Sequence, residues 1–134
     1  MKEEVNARAQ YEQARVFLEA KVRENPQDGP RHALFGLIYA GLGGCDEALS
    51  EAKRATELLP EDRDAFDGPI LSVSRARILV KCGDTEAALQ VLEHSIQIPA
   101  GITVAELQLD PSWDPLRKAP RFQQLIETRS SRSK

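Results

Sequence analysis

The stretch Gly41-Leu42-Gly43-Gly44 places three glycines just ahead of a helical pattern, where backbone N–H groups could cradle a phosphate. A phosphate loop needs GxxxxGK[ST], or GxGxxG after a strand, and neither spacing is present. The stretch therefore reads as a bend between two helices. His32 and His94 are the only histidines. His32 falls at a packing position and His94 on a polar flank, and neither has partners at metal-ligand spacing. Cys45, beside Asp46 at a helix start, is the candidate for an activated thiol, but it lacks a local histidine. Ser50, Ser72, Ser74 and Ser95 have no nucleophile-elbow context. The paired carboxylates read as solvated helix ends, so no catalytic residue is expected.

Composition narrows the classes further. The 134 residues are 41% hydrophobic and 29% charged, which describes one ordered globular domain. A net charge of -3 offers no general basic surface to nucleic acid or anionic lipid. No apolar run nears the ~18 residues that cross a membrane. The charged N-terminus lacks the apolar core of a secretory signal. Cys45 and Cys82 lie 37 residues apart without CxxC spacing and read as reduced thiols in a cytoplasmic protein.

Helices must position these groups. Ala7, Tyr11, Ala14, Leu18 and Val22 recur three and four apart and line one face of a helix over residues 3–24. Pro26, Gly29 and Pro30 end it. A second helix spans 31–41, with Leu34, Phe35, Ile38, Tyr39 and Leu42 apolar. A third, over 46–59, carries Ala48, Ala52, Ala55 and Leu59, a stripe of mostly small residues that admits a close neighbour. Pro60 stops it. The fourth begins near Asp67 with Pro69 in its first turn and ends at Lys81. Gly83 suits a left-handed helix end, and Asp84 or Thr85 caps a fifth helix to residue 97 that buries Ala88, Leu89, Leu92 and Ile96. Short helical pieces follow near 103–107 and 113–118, then a helix over 120–128 and a frayed tail, 129–134. No strand signal survives.

Pro26 and Pro60 are 34 residues apart, as are Ala14 and Ala48, and Leu18 and Ala52. His32, Phe35, Gly36 and Tyr39 on one helix, then Ala48, Ala52, Ala55 and Pro60 on the next, fill the positions of a two-helix repeat. On these residues the chain resembles the tetratricopeptide repeat family. It departs from that pattern at His32, where the family has Trp, and at Ala52, where it has a large aromatic. The resemblance implies an all-α, antiparallel helix-pair superhelix in one domain, 1–134. Its parts are a partial repeat at 3–28, the clearest repeat at 29–62, a degenerate one at 63–102 with an insertion near "RDAFDG", and a C-terminal cap at 103–128. The tail is similar to the segment closing such arrays in bacterial multidomain regulators, which implies that Trp113, Leu116, Phe122 and Leu125 fill the open end.

What the resemblance implies is a non-catalytic protein-interaction module that holds a partner's peptide or helix in a concave groove. The groove-facing residues would be Ala33, Leu37 and Ala40, then Val73, Arg77, Val80 and Lys81. Their character suits an apolar segment flanked by acidic residues. Ala33 and Leu37 stand where a carboxylate clamp would need Lys and Asn, so that specialised role is not expected. No cofactor, metal, nucleic acid or membrane is expected. A homodimer through the incomplete N-terminal helix is a further expectation. The alternative is a regulatory or sensory fragment of a larger bacterial kinase, cyclase or transcription regulator. An enzyme or small-molecule binder would instead need a deep pocket with clustered polar groups.

Overall fold

The computed structural model describes residues 2–132, with side chains from 3 to 129. Among them there is helix and no strand. The elements are α1 (Lys2–Glu24), α2 (Gly29–Gly41), α3 (Cys45–Leu58), α4 (Asp67–Lys81), α5 (Thr85–Ser95), α6 (Val104–Leu109), a 3₁₀ segment (Pro111–Leu116) and α7 (Pro120–Arg132). The ends move from their expected places for local reasons. Asp28 accepts a hydrogen bond from the Arg31 amide and Pro30 sits in the first turn, so α2 starts earlier, at Gly29. Thr103 and Glu106 form a reciprocal capping box that starts α6. The expected helix around Trp113 is the 3₁₀ segment, capped by Asp110 and interrupted by Pro115. The expected fraying from residue 129 is not found through Arg132: α7 continues, and Arg129 donates to the Ile96 carbonyl at 3.1 Å. The last two residues of the expected tail lie outside the described range.

Two turns of one kind set the topology. Gly43 (φ 83°) and Gly83 (φ 86°) take left-handed conformations that cost a side-chain-bearing residue energy. At the first, the Gly44 amide donates to the Tyr39 carbonyl and that of Gly43 to Ala40. At the second, Asp84 donates to Leu79 and Gly83 to Val80. Each pair closes a Schellman motif and turns the chain back, making α2/α3 and α4/α5 antiparallel hairpins. The glycine amides at 43 and 44 are thus spent on their own helix, and the stretch is a turn as its spacing predicts.

Where the hairpins meet, side chains shrink. Ala48, Ala52 and Ala55 of α3 are buried, flanked by Ala40 and Ile78 on one stretch and by Ala33, Leu59 and Leu71 on the next. A Cβ at Gly36 would stand 2.9 Å from Ile78 Cδ1 and 3.0 Å from the Ala48 carbonyl oxygen. A methyl group there would have to push the end of Ile78 aside and press on the Ala48 carbonyl where α2, α3 and α4 converge. Gly29 lies beside Leu71 and Gly36 beside Ile78, so α2 and α4 run parallel. A second core gathers Leu89 and Leu92 of α5 and Ile96 at its C-terminal cap with Leu107, Trp113, Leu116 and Phe122, while Leu125 packs half-buried at its edge.

The cysteines overturn a further expectation. Cys45 and Cys82 are not separate reduced thiols but a disulfide, with Cα atoms 5.7 Å apart. The two equivalent turns lie side by side, which brings the start of α3 against the end of α4. With the sulfurs joined, cysteine usage lends no support to a reducing compartment. No helix among the described residues is long and apolar enough to cross a membrane.

Candidate functional site

Because α2 and α4 run parallel, their solvent faces can be compared residue by residue. On α2 the buried side holds His32, Ala33, Phe35, Gly36 and Ala40, which leaves Pro30, Leu34 and Gly41 exposed and Leu37 and Ile38 half-buried. On α4 the exposed or half-buried stripe is Ile70, Ser74, Arg77 and Lys81. At 100° per residue, each stripe lies about a right angle from the line joining the two helices, and both lie on the same side of it. They lie on the same side of the helix pair, with Leu34, Leu37 and Ile70 apolar, Lys81 cationic, and Ser74 and Arg77 between Ile70 and Lys81. Leu34 is 49% and Ile70 57% exposed. Tyr11 of α1 borders this surface, with the Lys81 ammonium 5.8 Å from its ring centre.

No protein-family model, curated protein or solved structure matches this chain.

The expected groove residues divide in two. Leu37, Arg77 and Lys81 reach the surface, but Ala33, Ala40, Val73 and Val80 do not. Ala33 packs with Ala55 and Leu71, and Ala40 with Ala48, Ala52 and Ile78. Val73 and Val80 join the core that encloses Trp113. The expected face is rotated by about one residue, because α4 and the C-terminal segment cover the side of each helix that the sequence pattern predicts to be open. Leu34 and Ile70 are the residues this reading missed. Large apolar side chains at helix positions off the alanine-rich seam were the signal.

Arg77 is less available than its position suggests. Its Nη2 donates to Asp110 Oδ2 at 3.1 Å, and its guanidinium stacks 5.3 Å from the Trp113 ring centre. Arg117 donates to the carbonyls of Leu107 and Asp110, both at 3.0 Å, and so clamps the same corner. Lys81 makes no ion pair among the described residues. The Ser112 amide and the Arg77 guanidinium stabilise ionised Asp110 and hold its carboxyl below the usual carboxylate range. The stabilisation is therefore full above the unfolded carboxylate's titration near pH ~4 and is lost as pH falls through the lower folded value. Solvent reaches this pair, so the effect is about 1 kcal/mol or less. We expect Asp110→Asn, which keeps a capping oxygen, to cost that amount at neutral pH. The Tm difference from wild type should shrink in acid, below pH ~4.

The histidines serve packing and surface contacts. His32 is buried, with Nδ1 against Glu51 and Nε2 2.8 Å from the Pro26 carbonyl oxygen, which ties α2 to α3 and to the loop before it. His94 is exposed and meets Glu61 at 2.7 Å. Among the described residues, no group of three or more His, Cys, Asp or Glu could hold a metal ion. The clefts between helices, about 160 Å³ beside Ile70 and about 360 Å³ beside Tyr11, open to solvent.

Proposed function

We propose that this chain is a tetratricopeptide-like array that binds an apolar segment of a partner protein on the α2–α4 face, without catalysis. Supporting the array are two hairpins with the same glycine turn, parallel first helices, and a small-residue seam that lets neighbouring helices close together. The repeat pattern in the sequence lends the same support. The observation that carries the binding function is the exposure of Leu34 and Ile70, which helix geometry puts on the same side of the α2–α4 pair. A folded helix gains nothing by holding two large aliphatic side chains in water, and such patches mark contact surfaces. Lys81, at the end of the same face, favours an acidic residue beside the apolar segment.

The test is selection of a displayed peptide library on the immobilised protein. Apolar peptides with flanking Asp or Glu should be enriched. Their capture should fall about tenfold or more with Leu34→Glu or Ile70→Glu, and Lys81→Glu should remove the acidic preference. These side chains already meet solvent, so helical content by circular dichroism should be unchanged. Enrichment that survives both apolar replacements places binding elsewhere.

A further inference from the structure

The Cys45–Cys82 bond joins the two glycine turns at the edge of the packing, not inside it. Both cysteines are half-buried. A methyl group added at Gly43 or at Gly83, which flank them in the chain, would meet no atom within 4 Å, so the space beside each turn is open. A thiol in solution can come close there, and access is one of the conditions for exchange.

Each turn is also held by its own backbone. The Gly44 amide donates to the Tyr39 carbonyl at 2.8 Å, and the Asp84 amide to the Leu79 carbonyl at 2.9 Å. The Asp84 carboxylate accepts from the Ala87 amide and starts α5. None of these bonds passes through sulfur, so both turns keep their shape when the disulfide is cut.

What the disulfide does cross is the junction between the hairpins, where side chains are smallest. Ala40, Ala48, Ala52 and Ile78 are buried there, with Cys82 packed against them. Ala33, Ala55 and Leu71 continue the junction. An alanine methyl buries little apolar area, so each contact contributes little, and a covalent tie is a large share of what holds the hairpins together. The core around Trp113 draws its buried members from residues 73–122, on the far side of the junction from α2 and α3.

We propose that Cys45–Cys82 is a thiol-exchangeable latch: dithiols open it in the folded chain, and opening loosens the first hairpin against the second while the core around Trp113 stays closed. A thiolate of the dithiol attacks one cysteine sulfur, forms a mixed disulfide and displaces the other cysteine as a thiolate, which takes up a proton. The second thiol of the dithiol loses its proton and attacks its own arm of the mixed disulfide. That closes a disulfide within the dithiol and releases the remaining cysteine. Two electrons pass from the dithiol to the protein, and exchange with a small disulfide runs the sequence backwards. The latch does not depend on what binds the α2–α4 face, although that face crosses the junction.

Reduction of the whole chain by dithiothreitol, with free thiols counted by alkylation and mass spectrometry, tests the first half. The rate should rise in proportion to dithiothreitol and change less than about twofold in urea too dilute to unfold the chain. A bond reached only through global unfolding would instead react about fivefold or more faster for each molar of urea, and that result overturns the proposal. Amide NMR spectra test the second half. Reduction should shift or broaden the signals of Ala40, Ala48, Ala52 and Ile78 and leave those of Leu107, Leu116 and Phe122 in place. Removing dithiothreitol and adding glutathione disulfide should restore the first spectrum. Cys45→Ser with Cys82→Ser should give the reduced spectrum and ignore dithiothreitol. A spectrum that changes throughout is a general loss of fold, and one that changes only at the cysteines and their chain neighbours is a bond that restrains nothing. Either overturns the latch.

Discussion

Replacing Trp113 with alanine should lower the unfolding free energy by about 3–5 kcal/mol, the range for emptying a large buried aromatic site. Trp113 is fully buried and packs in a core with Leu89, Leu92, Leu107, Leu116 and Phe122. It is the wedge that holds α6, the 3₁₀ segment and α7 onto the second hairpin. Domains of this size hold about 5–15 kcal/mol in all, so the loss removes much of the reserve and should loosen the C-terminal segment first. Trp113→Phe separates volume from polarity. The indole Nε1 is buried and finds no acceptor among the described residues, a situation that itself costs about 1–3 kcal/mol. Phenylalanine removes that donor together with part of the ring, so its cost should stay under about 2 kcal/mol. Urea unfolding followed by far-ultraviolet circular dichroism reads both variants on one scale. Equal losses for alanine and phenylalanine would mean that the site does not hold the ring as described.

Loss of the Cys45–Cys82 bond is the second large effect. The bond closes a loop of 37 residues, and restricting that loop in the unfolded chain is worth up to about 4 kcal/mol. The Cα separation of 5.7 Å is an ordinary distance for a disulfide, so the backbone need not shift to make it. Cys45→Ser with Cys82→Ser should therefore lower stability by about 2–4 kcal/mol, and dithiothreitol should do the same to the wild type. The double variant should be indifferent to the reductant. A urea midpoint that is equal in oxidised wild type, reduced wild type and variant would remove the bond from the account of stability.

Much of the fold could be read from residue order because most helices carry a single buried stripe. Ala48, Ala52, Ala55 and Leu59 mark the inner face of α3, and Ala88, Leu89, Leu92 and Ile96 that of α5. Gly43 and Gly83 mark the turns, and Pro69 marks the first turn of α4. The candidate site was harder to read, for a definite reason. On α2 and α4, apolar residues occur around most of the circumference, since each helix touches neighbours on two or three sides. Periodicity alone cannot tell which side stays open. That depends on where α4 lands against α2 and where Trp113 lands against α4, and neither contact shows in the periodicity that points Ala33, Ala40, Val73 and Val80 outward. The disulfide was missed because 37 residues separate its ends. The signal for it is the equivalence of the two glycine turns, with one cysteine just after the first and the other just before the second.

The bond also changes what kind of object the chain is. Residues 45–82 become a covalent ring that contains α3, α4 and the segment joining them. A single backbone cut within residues 59–66 would open that ring without dividing the molecule, and the two fragments would travel together until the sulfurs were reduced.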